Sequence, residues 1–135
     1  MFKKVHVFRV KPGQELLAEI EGYCQAKGIA SGLILGIIGS VTGARLNYLV
    51  GLPGVYESVS YSGPLEIVCA QGSVALHGDT PVVHIHIQLS AQDGSKGGHL
   101  AEATVFSTAE VALGELDYQL RRVFDSDTGL RELTD

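Results

Sequence analysis

The sequence predicts an α+β domain, a largely antiparallel sheet with one main helix packed on it. Three observations carry that prediction. Apolar residues alternate with polar ones along most of the chain, the period of half-buried strands. A single segment near the start recurs instead at helical spacing. Glycine is abundant at 17 residues while proline stands at only 4, a balance that suits turns and bulges between strands better than flexible linkers.

Residues 2–10 form the first strand, with Phe2, Lys4, His6, Phe8 and Val10 on one side and Val5 and Val7 on the other. Pro12-Gly13 breaks it. Leu16, Leu17, Ile20, Tyr23 and Cys24 then mark one face of a helix of about four turns, with Glu15, Glu19 and Glu21 outside. Lys27 and Gly28 supply the basic last turn and the stop. Leu33 to Val41, apolar and β-branched, reads as a buried strand, and Arg45 to Leu49 as another after a break at Thr42-Gly43. Gly51 to Gly54 is a loop and Tyr56 to Tyr61 a strand. Leu65 to Leu76 is a long strand after Gly63-Pro64, with Gln71-Gly72 as its bulge. Gly78 to Pro81 is a turn. Val82 to Ser90 is the clearest strand of all, Asp93-Gly94 marks a hairpin turn, and Ala103 to Leu116 alternates as a long strand, though its Ala and Glu content would also permit a helix. The tail from Arg121 to Leu133 holds a short strand and a turn at Thr128-Gly129.

The length of 135 residues predicts one domain, 1–135, with one core and no repeats or linkers. Ten basic residues against 15 acidic ones, net −5, do not favour a protein that grips phosphates by bulk charge, so direct DNA binding is not expected from composition. Cys24 and Cys69 lie in apolar surroundings and read as buried free thiols. No apolar run reaches the length of a signal peptide core or a membrane span, which makes the cytoplasm the expected compartment and a membrane partner unexpected. The glycine-rich stretch from Gly32 to Gly43 lacks the Lys-Ser/Thr of a phosphate loop and the spacing of a dinucleotide fingerprint.

The chemistry concentrates in Val82 to Leu89. Alternation sends Val83, Ile85, Ile87 and Leu89 to the core and His84, His86 and Gln88 to the opposite face. Residues i and i+2 of a strand stand ~6.6 Å apart and project in parallel, which lets two imidazoles lean onto one ion at ~2.0–2.1 Å. The turn at Asp93-Gly94 returns the chain beside its own strand and brings His99 in as a third ligand, with Gly97-Gly98 allowing close approach. Three imidazoles leave a fourth position for water or a ligand, as in catalytic zinc sites. Paired histidines on a strand face are otherwise just partly exposed polar residues, and His6 and His77 read as ordinary surface or edge histidines. Glu66, opposite Leu65 and Ile67, is a candidate to orient a ligating histidine or act as a general base. Arg45, among apolar neighbours, is a candidate to bind a carboxylate or phosphate, or to form a structural salt bridge.

Several stretches together resemble the PPC (plants and prokaryotes conserved) domain in its stand-alone prokaryotic form. They are Gly36-Ile37-Ile38-Gly39-Ser40, Ala44-Arg45-Leu46, Gly63 to Val68, Pro81 to His86, Gly97-Gly98-His99-Leu100 and Val105 to Val111, in order over nearly the whole chain. The resemblance implies an α+β fold that assembles as a homotrimer, in a family described as DNA-binding or regulatory proteins that contact protein partners. A more distant similarity to acetolactate decarboxylase implies zinc, or another divalent metal, on His84, His86 and His99. It also implies a small-molecule carbonyl or carboxylate substrate, with Glu66 and Arg45 as the catalytic candidates.

Overall fold

The computed structural model describes residues 1–134. Strand β1 (Phe2–Val10) leads into helix α1 (Leu16–Lys27), and β2 (Gly32–Gly51), β3 (Val55–His77), β4 (Thr80–Ala91) and β5 (Gly94–Leu116) follow. A short hairpin, β6 (Arg122–Asp125) and β7 (Leu130–Leu133), ends the chain. The main sheet runs β1-β5-β2-β3-β4, antiparallel throughout, and β4 pairs again with β5. That additional pairing closes β5, β2, β3 and β4 into a ring, so the long strands curl around one core instead of forming an open sheet.

Curling such long strands requires bulges, and here the structure departs from the sequence reading. The break expected at Thr42-Gly43 is a register shift inside one continuous 20-residue β2. Gly63-Pro64 likewise lies within the 23-residue β3. The bulge of β3 falls between Ile67 and Cys69, not at Gln71-Gly72. It reverses the strand's parity, so Ala70 turns inward and Cys69 outward. Cys24 is buried as expected, whereas Cys69 is exposed.

Helix α1 spans 12 residues, nearer three turns than four, and buries Leu16, Ile20 and Cys24 against the core. Glu15 is its cap. The carboxylate accepts hydrogen bonds from the Leu17 and Ala18 backbone N–H groups, which helical geometry leaves unpaired. It also accepts from the Ala103 N–H at 2.9 Å, which ties the helix start to β5. Gly28 closes the helix in the left-handed conformation at φ 67°.

His6 corrects the surface assignment. It is only 7% exposed, and its Nε2 lies 3.0 Å from Glu115 Oε2 and its Nδ1 3.2 Å from the Tyr23 hydroxyl. Lys3 donates to the other Glu115 oxygen at 2.8 Å. The hydrogen bonds from Lys3 and His6 hold the Glu115 carboxyl below the usual range. The group joins β1, α1 and β5 in place of an apolar contact.

Candidate metal centre

The histidines stand where β4 and β5 begin to part. His86 and His99 are register partners, the last of a ladder that starts at the Asp93-Gly94 turn with Ala91 opposite Gly94. His84 is the next residue of β4 to face outward, opposite Ser73 of β3. Val83, Ile85, Ile87 and Leu89 are buried between them, as alternation requires. Ring centroids are 5.1 Å apart for His84 and His86, 4.7 Å for His84 and His99, and 5.6 Å for His86 and His99. One nitrogen from each ring lies within 4.8 Å of the other two. Tetrahedral zinc places its imidazole nitrogens roughly 3.3 Å apart, so modest side-chain rotations close the set on an ion. The donor set fits such an ion. Among the described residues no acid or thiol joins it, and the His84 Nε2 is buried without a hydrogen-bond partner.

Beside the rings lies a hollow of about 340 Å³, walled by His84 and His99, Tyr56, Val82, Arg122 and the β6–β7 hairpin. Arg122, which sequence reasoning passed over, stands against the histidines. Its Nη2 donates to Ser73 Oγ at 3.0 Å and lies 3.3 Å from His84 Nδ1, while Nη1 donates to the Arg131 carbonyl at 3.0 Å. In the sequence it is only half of a double-basic step, 38 residues beyond His84, with no local pattern to link them. His77 also walls the hollow, with its Nδ1 3.3 Å from the Arg122 carbonyl oxygen, so it belongs beside the site though outside the three-nitrogen set.

The other sequence candidates, Glu66 and Arg45, line neither the three-nitrogen set nor the hollow beside it. Glu66 pairs with Ser90 and Ser40, five residues along β3 from Gln71, the residue opposite His86. At ~3.3 Å per residue that is about 16 Å, beyond hydrogen-bond reach. Arg45 lies on β2 opposite Glu102, and its Nε meets the Glu102 carboxylate at 3.4 Å. Its surface ion pair borders a different hollow, with Glu15 and Thr104. Arg45 thus forms a salt bridge on the surface of the ring.

Burial pushes the His84 imidazole down to about 4, and the nearby His99, Arg122 and His86 add to the shift. Burial also lowers His99, with His86 and Arg122 contributing. Both rings are thereby held neutral, the form that ligates metal. The unfolded chain takes up protons at these histidines near pH 6.5, and the native state resists. Metal-free protein is therefore expected to lose stability as pH falls from about 6.5 towards 4. His84→Gln should flatten that slope in thermal melts, and an unchanged slope would contradict the assignment.

The chain matches the model of the Plants and Prokaryotes Conserved (PCC) domain over residues 1–117. The chain belongs to this family. Among solved members of the same fold, a metal-containing protein from Archaeoglobus fulgidus is 30% identical, with a TM-score of 0.91 over 100% of this chain and 96% of that one. A curated relative of this PCC chain, the bifunctional protein GlmU of a Synechococcus strain, is 33% identical over 133 residues, 96% of this chain and 20% of that protein. The chain thus spans about a fifth of the length of the curated relatives it matches. The α-acetolactate decarboxylase of Bacillus subtilis is 12% identical, with a TM-score of 0.56 over 85% of this chain and 53% of that one, a likeness of fold. Within the PCC chain, the β6–β7 hairpin that carries Arg122 lies beyond the residues the family model matches.

Proposed function

We propose that this PCC protein holds one divalent ion on His84, His86 and His99, zinc by the chemistry of the donors, and that the ion presents an open position to the adjoining hollow. The convergence of three outward imidazoles within 4.8 Å carries the reading. Borderline-soft imidazoles suit zinc, and three protein ligands leave a place for water or a ligand. The metal-containing relative at 30% identity supports it. When bound, the ion supplies a Lewis acid and lowers the pKa of coordinated water. Elemental analysis of protein purified without chelators should find about one zinc per chain. Metal-free protein that also fails to take up added zinc would refute the reading.

In the family context the chain then acts as a trimeric ligand-responsive module working through protein partners. Val5, Val7, Ile38, Val68 and Phe106 support self-association, since each strand side chain is at least 50% exposed in a single chain. Sedimentation at micromolar protein distinguishes three chains from one. The net charge of −5 argues against direct DNA contact, and a retardation assay at low salt should show no shift. The second reading is an enzyme acting on a small carbonyl or carboxylate compound, favoured by the hollow beside the open position. Zinc-dependent release of carbon dioxide from acetolactate would decide for it. No helix of the described residues is long and apolar enough to cross a membrane.

A further inference from the structure

We propose that Arg122 makes the metal centre a receiver for a small carboxylate with a short apolar body. The proposal rests on the three-histidine reading above and deepens it.

The first ground is charge. Among the described residues no carboxylate pairs with Arg122. The wall of the hollow carries Arg122 and Arg131 against the single acid Glu132. Three neutral imidazoles add nothing to offset a divalent ion. A cation of two charges beside a guanidinium with no carboxylate partner, in a partly enclosed hollow, draws an anion.

The second ground is a conflict over one lone pair. A neutral imidazole has a single acceptor nitrogen. Arg122 Nη2 approaches His84 Nδ1 to 3.3 Å, and His84 Nε2 is buried with no partner. That pattern describes an acceptor Nδ1 and an Nε2–H with nowhere to donate. An ion at Nδ1 takes the lone pair Arg122 was using. An ion at Nε2 leaves the hydrogen on Nδ1, where it faces an N–H of Arg122. Metal binding and this hydrogen bond exclude each other at either nitrogen, so the ion frees the Nη2 hydrogen that His84 held, while Nη2 keeps its bond to Ser73 Oγ. Nε of Arg122 is already without a partner. Nε and Nη2 share one edge of the guanidinium, the edge that matches the two oxygens of a carboxylate. The ion thereby frees the group that receives the ligand.

The third ground is the remainder of the wall. Val82, Leu130 and the Tyr56 ring line the same hollow, and they favour a carboxylate carrying a few carbons over a fully hydrated anion.

The test uses the full chain loaded with cobalt(II), whose visible absorption reports its coordination. Butyrate should change the spectrum saturably. Arg122→Gln should retain one cobalt per chain and bind butyrate at least about tenfold more weakly, the loss of a charge-assisted hydrogen bond. Arg121→Gln should bind as the parent protein does, because that side chain holds Gly78 and Gln119 instead. A spectrum unmoved by butyrate in cobalt-loaded parent protein would overturn the proposal. Equal weakening by the two substitutions, or tighter binding of inorganic phosphate than of butyrate, would do the same. Cobalt stoichiometry is measured first, so failure of the metal reading shows as absent cobalt and failure of this one as absent or Arg122-independent butyrate binding.

Discussion

His86→Ala is expected to lower divalent-metal affinity by more than about 100-fold, since loss of an outer partner alone costs 10–100-fold, while leaving the fold intact. The side chain is exposed on the outer surface of β4 and contributes nothing to the core. Its neighbours Ile85 and Ile87 bury the strand without it. Removing it takes one of three ligands and leaves a two-imidazole site. Competition against a chromophoric chelator gives the affinity, and circular dichroism checks the fold. His84→Ala should lose metal as well, but with a stability change superimposed, because His84 also meets Arg122 at 3.3 Å. His77→Ala should hold metal normally, since His77 walls the hollow without joining the nitrogen set. Unchanged affinity in His86→Ala would rule out the metal centre.

The three-histidine cluster was legible because strand alternation is a local rule and the turn between Ala91 and Gly94, which aligns His86 with His99, is short. Nothing longer in range was legible to the same degree. Glycine at position 43 looks like a strand end, but in a curled ring it marks a register shift through which β2 continues. One extra residue at Val68 was enough to send Cys69 outward against the alternation set by Leu65 and Ile67. His6 sits on the inward side with Phe8 and Val10, and that parity was visible. The acid that makes its burial tolerable is Glu115, 109 residues later. Arg122 shows the same limit in the site itself. Its partner His84 is fixed by the closure of the ring and by the bridge between Leu76 and Arg121, neither of which leaves a periodic signature. The helix is also shorter than its apolar spacing suggests, because Glu15 caps it and bonds β5 in place of extending the first turn.

The closure that hides these contacts makes the barrel wall sensitive at its close-packed glycines, and Gly72→Ala is expected to destabilise the protein by about 3 kcal/mol. Gly72 faces Ile85 across the β3–β4 ladder, next to the pair formed by Ser73 and His84. An added Cβ would collide with the His84 carbonyl oxygen and press on Ile85 Cα and Cγ1 at 3.0 Å. The first two obstacles are backbone, which cannot rotate aside, so β3 and β4 must separate where β4 carries His84. Stability and metal affinity should therefore fall together, although Gly72 touches no ion. Gly22 supplies the opposite case. It lies exposed in the middle of α1, where an added Cβ would meet nothing within 4 Å. Gly22→Ala should therefore stabilise by about 0.5–1 kcal/mol with metal affinity unchanged. Chemical denaturation and metal competition on the two variants separate the effects. If Gly72→Ala melted like the parent protein, the close approach of β3 to β4 behind His84 would be refuted. A stability loss in that variant without a change in metal affinity would show that the ligands tolerate displacement of the strand that bears them.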